Sequence, residues 1–188
     1  MPGATVRPLT PHPTDTFGDR TVVRLGELVA GQLARCVLRV RFPSGPAGAE
    51  VDATLGVSAA DGAIEGPAFA PRRLAWRFAD HAANDAQPRD RVVDRAVAEL
   101  FAARARQEAV ALNRRGDWQR ARRSLEGVAE RIQGYAGDDV ELRDLASTLA
   151  SEAPVAAAPM RESLRKSVHF AAANTARSRD AAGRSKRG

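Results

Sequence analysis

The chain has 188 residues, with Lys+Arg 29 and Asp+Glu 23, a net charge of +6 and a single cysteine. One cysteine excludes a disulfide framework or a thiolate metal cluster within one chain, and no apolar run approaches the roughly 18 residues of a membrane span. The charge excess sits at one end: residues 161–188 hold eight basic and two acidic side chains, while residues 1–160 hold 21 of each. The basic character therefore describes a tail and not a domain surface, which weakens a nucleic-acid reading.

Alanine supplies 38 residues. It is the best helix former but buries little area, so the composition predicts close helix packing around a modest core. Only two of the basic residues are Lys, which reads as the codon usage of a GC-rich genome. Met1-Pro2-Gly3-Ala4-Thr5 has no charged and apolar leader pattern, so a secretion signal is not expected. A reduced, cytoplasmic setting is the expectation.

Residues 1–18, with Pro2, Pro8, Pro11 and Pro13, predict an extended lead-in in which Ala4–Arg7 could pair as a short strand. Residues 19–80 read as β. Arg20–Leu25 opens the segment. From Arg35 to Phe42, charge falls on 35, 39 and 41, while Cys36, Leu38, Val40 and Phe42 share the other face. Pro43-Ser44-Gly45-Pro46 ends that strand. Glu50–Val57 repeats the alternation, Asp61-Gly62 signals a hairpin turn, and Arg73–Phe78 aligns Leu74, Trp76 and Phe78. Four or five short antiparallel strands predict a β-sandwich, complete or with one thin sheet. Leu38, Val40, Leu55, Trp76 and Phe78 are its expected core.

Residues 81–173 read as helical. A switch segment over 81–87 leads to a helix from about 88 to 114, with Val93, Val97, Leu100, Val110 and Leu112 near one stripe. Arg95–Glu99 and Arg104–Glu108 have the spacing of intrahelical ion pairs. Gly116 stops this helix and Asp117 caps the next. There Trp118, Ala121, Leu125, Val128 and Ile132 form a seam spaced 3, 4, 3, 4. Leu100, Trp118, Leu125 and Ile132 are the expected helical core. Gly134 and Gly137 end the second helix, and Asp138 with Glu141 has capping-box spacing. A third helix runs to about Ala153, before Pro154, and a fourth from Pro159 to about Ala173. Residues 174–188 predict a disordered basic tail.

The fold class is thus α+β: an antiparallel β-sandwich, then an antiparallel helical hairpin or small bundle, then the tail. Small residues at Ala109 and Ala121 around Gly116-Asp117 follow the logic of tetratricopeptide hairpins, but only one unit is present and a solenoid needs about three.

Asp80-His81 with Asn84-Asp85 places metal-type side chains within six residues. The spacing fits a polar turn that ends a strand and starts a helix better than a metal site. His169 beside Phe170 reads as a surface or packing histidine. No G-x-x-x-x-G-K-[ST], G-x-G-x-x-G, G-x-S-x-G or H-E-x-x-H motif occurs. No enzymatic activity is expected, and no catalytic, cofactor-binding or metal-ligating residue is assigned.

Leu25-Gly26-Glu27-Leu28-Val29-Ala30-Gly31-Gln32, followed by an alternating strand, resembles the L-G-[DE]-L-x-x-G-[EQ] turn of bacterial von Willebrand factor type A (VWA) domain-containing proteins. The passages Trp76–Asp80, Arg91–Ala98 and Ala109–Asp117 resemble the strand-to-helix and helical parts of the same proteins. The likeness covers about residues 5 to 180. It implies the region that follows the VWA domain, without the domain itself: the D-x-S-x-S metal loop is missing. The resemblance implies either a fragment or a reduced relative. It also implies a non-catalytic interaction or scaffold module with no cofactor, whose protein partner would be a VWA domain or another chain at an exposed strand edge. The alternative is a nucleic-acid-associated protein that uses the Arg-rich tail, although the tail lacks aromatics after Phe170 to stack on bases.

Overall fold

Strands come first along the chain and helices second. The computed structural model describes residues 4–28, 31–59, 62–64, 66–180 and 182–186. The strands are β1 (Thr5–Pro8), β2 (Thr14–Phe17), β3 (Arg20–Val23), β4 (Leu38–Arg41), β5 (Glu50–Leu55) and β6 (Arg72–Arg77). The helices are α1 (His81–Asp85), α2 (Arg91–Arg114), α3 (Trp118–Ala136), α4 (Val140–Ala156) and α5 (Glu162–Ala176). The class is α+β. The chain divides into two compact units. One comprises Met1–Val6, Thr16–Thr21 and Val40–Pro88, and the other Arg7–Asp15, Val22–Arg39 and Arg89–Gly188.

Among the described residues the strands form three separate pairs, β1 with β4, β2 with β3 and β5 with β6. Among the described residues these small antiparallel pairs do not make a clear sandwich. The strands are only four to six residues long, and the described parts of the segments 24–37 and 56–71 between them are mostly irregular. The strand expected over 35–42 shortens to Leu38–Arg41. Arg35 bonds away from the ladder, its N–H donating to Ser178 Oγ at 3.2 Å, while Val37 O accepts from the Leu9 N–H at 2.7 Å at the end of the β1–β4 pairing. Of the expected Asp61-Gly62 turn, Asp61 lies outside the described residues, and the β5–β6 connection is much longer than a tight hairpin turn. It includes a 3-10 turn at Pro67–Phe69. The Leu25–Gln32 segment that carries the family resemblance follows β3 without regular structure over its described part, Val29 and Ala30 lying outside it.

Helix boundaries follow the capping chemistry. Asp80 accepts from the Ala83 N–H at 2.8 Å and opens α1. Asp90 accepts from Val92 and Val93, so α2 begins at Arg91 and not at Pro88. Gly116 sits at φ 80°, which an L side chain rarely adopts, and lets the chain reverse into α3. Asp117 then caps α3 through the Arg120 N–H. At the next boundary the cap is Asp139, which accepts from Leu142, and not Asp138. Asp138 instead pairs with Arg143 at 2.7 Å. Helix α4 also carries Pro154 inside it, where the sequence predicts a stop. Pro154 falls in the last turn, where few intrahelical bonds remain to be broken.

Helix α3 packs on both α2 and α4, and α2 packs on α4 and α5. The buried cluster joins α2 (Ala98, Ala102, Ala105, Ala109, Leu112), α3 (Ala121, Leu125, Ala129, Ile132, Ala136) and α4 (Leu142, Ala146, Leu149, Ala153, Ala156). The helical part is therefore a group of packed helices and not a lone hairpin. Leu100, Leu125 and Ile132 are buried as expected, but Trp118, in the first turn of α3, is 40% exposed and Val93 is exposed.

Three polar clamps set α4 along α2. Arg95 of α2 holds Asp139 at 2.9 Å and also pairs with Glu141. Arg106 grips Glu152 with two bonds of 2.7 and 2.9 Å. Asn113, itself buried, donates to Ala156 O and Ala158 O and accepts from the Met160 N–H. Partner numbers rise together along both helices, so α2 and α4 run parallel. The expected pairs within α2 do not form. Glu99 meets Arg35, Arg104 donates to Leu9 O, and Glu108 accepts from Ser124. These side chains serve tertiary contacts in place of local ones.

Helix α5 extends to Ala176, beyond the expected end at 173. The described part of the expected disordered tail has its own bonds. Asp180 accepts from the Ala182 and Arg184 N–H groups and pairs with the Arg184 guanidinium. Lys186 O accepts from the Leu33 N–H. One acid, Asp180, organises part of a stretch whose overall composition signals disorder.

Burial alone would push the Asp139 carboxyl up, but hydrogen bonds from the Arg95 guanidinium and the Leu142 N–H outweigh it and hold it below the ordinary aspartate value. A depressed folded-state value means that this carboxylate stabilises the fold above its unfolded-state value, and that the contribution is lost as pH falls through the folded one. Chemical unfolding measured across pH should therefore show a shallower acid loss below about pH 4 in Asp139→Asn than in the parent chain. Equal slopes would contradict this.

Candidate functional site

The β5–β6 ribbon is the most distinctive surface of the strand-rich unit. Its register pairs Glu50 with Arg77, Val51 with Trp76, Asp52 with Ala75, Ala53 with Leu74, Thr54 with Arg73 and Leu55 with Arg72. Directly opposed residues share a face. One face thus carries Val51, Ala53, Leu55, Leu74 and Trp76, with Arg72 at its end opposite Leu55. The other carries the charges, with Arg77 on Glu50 at 2.8 Å and Arg73 reaching Asp52 at 2.8 Å. These are exposed pairs and contribute little to stability; their effect is to mark the wet side.

One end of the apolar face is covered. The Phe42 ring packs on Trp76 with centroids 4.8 Å apart. Phe78 lies against Gly45 so closely that a Cβ there would stand 2.6 Å from its ring, so the Pro43–Pro46 turn requires glycine at that point. The ladder continues past β6 through Phe78 N–H to Ala49 O and Gly48 N–H to Phe78 O.

The rest of the face is open to water. Trp76 is 36% exposed, Leu74 41% and Leu55 48%. The sequence correctly aligns these side chains on one face, but it places Leu55 and Trp76 in a core that does not enclose them. Leu38, Val40 and Phe78 are half-buried. The Phe42–Trp76 contact joins residues far apart in sequence, and no local signal predicts it.

The other candidate residues are not brought together. Asp80 is occupied as a helix cap, and Asn84 donates to Ala79 O at 3.2 Å. Among the described residues no cluster of three or more His, Cys, Asp or Glu side chains could hold a metal. His169 is exposed on α5. Cys36 is free and half-buried, with the Thr10 hydroxyl 3.7 Å from its sulfur. No helix among the described residues is long and apolar enough to cross a membrane.

What this arrangement can do is bind. Each half-exposed Leu or Trp still has roughly 1 kcal/mol of burial to gain on being covered, and a two-stranded ribbon is marginal without a third layer or strand. The folded chain should therefore tolerate polar change there. Leu74→Ser should cost less than about 1 kcal/mol in a denaturant titration, against about 2–5 kcal/mol for Leu149→Ala, whose side chain is fully buried in α4. Comparable costs would show that the ribbon face is already enclosed. No family model, curated protein or solved structure matches the chain.

Proposed function

We propose that the chain is a non-catalytic protein-interaction or scaffold module, with the role that its resemblance to the C-terminal half of bacterial VWA domain-containing proteins implies. The observation that carries the reading is the partly open apolar face of β5–β6, where Leu55 and Leu74, and Trp76 beside Phe42, remain partly exposed although their strands are well formed. Each strand of this pair also has one edge unpaired among the described residues. Such edges add strands from other chains, with main-chain bonds for affinity and alternate side chains for selection.

The partner is then a protein that supplies the missing strand or layer, a VWA domain being the candidate that the resemblance names. Arg73 and Arg77 of β6 are paired with Asp52 and Glu50, which leaves Arg72 as the β6 cation to meet an acidic residue of an incoming strand. The finer architecture proposed is a sandwich completed across two chains.

Light scattering coupled to size-exclusion chromatography tests this without a known partner. The isolated chain should associate with itself as concentration rises, and Leu74→Asp should return it to monomer. A parent chain that stays strictly monomeric at all concentrations would count against the reading.

A further inference from the structure

A second surface lies in the helical unit, where α5 rests against the C-terminal part of α2 and leaves an open groove of about 1050 Å³ between them. Val110 and Ala111 of α2 and Phe170 and Ala173 of α5 line it. Val110 is buried, whereas Phe170 is 53% exposed. On α2 the lining residues Gln107, Val110, Ala111 and Arg114 recur at i, i+3, i+4 and i+7, and on α5 Phe170, Ala173 and Arg177 at i, i+3 and i+7, so the groove runs along the helices. At about 1.5 Å per residue α5 is roughly 22 Å long, enough for about four turns of another helix.

Its borders are cationic. Arg114, Arg165, Lys166 and Arg177 line the groove with one acid, Glu162. That acid is already shared between Arg114 at 3.2 Å and Arg165 at 3.4 Å. Lys166 and Arg177 pair with no acid among the described residues. An apolar floor with uncompensated positive borders is complementary to one kind of occupant: a helix with an apolar stripe flanked by Asp and Glu.

We infer that the α2–α5 groove is a docking site for an acidic amphipathic helix of a partner protein. This surface is independent of the β5–β6 ribbon: no ribbon residue lines it. A nucleic acid fits less well, since phosphates would meet an apolar floor and the adjacent rings of His169 and Phe170 offer no succession of spaced stacking sites. The positive charge of residues 161–188 thus acquires a location. Part of it borders a groove and is not a solvated tail.

The test is fluorescence anisotropy on the full chain with three labelled peptides about four turns long. The first has Leu at helical i, i+3, i+4, i+7 spacing and Glu elsewhere. The second replaces Glu by Lys, and the third replaces Leu by Ser. The first peptide should bind and the other two should not. Lys166→Glu combined with Arg177→Glu should weaken binding roughly tenfold or more, and so should Phe170→Asp, with helical circular dichroism unchanged. Leu74→Asp on β6 should leave it unaffected, so that this site and the ribbon succeed or fail separately. The inference is overturned if the acidic peptide does not bind or the Ser peptide binds as well. Tighter binding of a single-stranded RNA with the same sensitivity to these variants would overturn it in favour of a nucleic-acid site. Occlusion of the groove by self-association in light scattering would overturn it in favour of a second copy.

Discussion

The helical body depends on how closely its backbones approach. Ten of the fifteen residues in its buried cluster are alanines, and the larger ones are Leu112, Leu125, Ile132, Leu142 and Leu149. Alanine buries little area per residue, so the apolar gain depends on α2, α3 and α4 packing their alanine-rich faces together. The three α2–α4 clamps, at Arg95, Arg106 and Asn113, tie α4 alongside α2. Asn113 satisfies three backbone groups near the end of α4, of which those of Ala156 and Met160 belong to buried residues.

The same use of side chains explains why the charged face of α2 could be read only in part. Arg95 and Glu99 have the spacing of a local pair, yet the one secures α4 and the other meets Arg35. Local spacing lists possible partners, and tertiary packing chooses among them. Boundaries were more legible, because they rest on one or two residues. Gly116-Asp117 ends one helix and opens the next as expected. The apolar seam of α3 was legible too, through Ala121, Leu125 and Ile132. Trp118 has the right spacing, but it sits in the first turn and remains exposed.

The β part shows where reading by periodicity stops. Alternation assigned the correct face to Val51, Ala53, Leu55, Leu74 and Trp76. It says which side is apolar and not what covers it. Long irregular segments separate short strands, which settle as three pairs and leave that side in water. The basic tail was legible as charge but not as geometry, since Lys166 and Arg177 acquire meaning only once α5 places them beside Val110 and Phe170. A helical body that satisfies itself and a ribbon that does not are the two halves of one account, and the candidate surfaces follow from the difference between them.

Native-state hydrogen exchange resolved by residue tests that difference most directly. The account predicts that amides in α2, α3 and α4 exchange only through global opening, while those of β5 and β6 exchange far faster through local opening of the uncovered ribbon. Strand amides protected to the same degree as those of α3 would contradict it, because they would show the ribbon to be as complete as the helices.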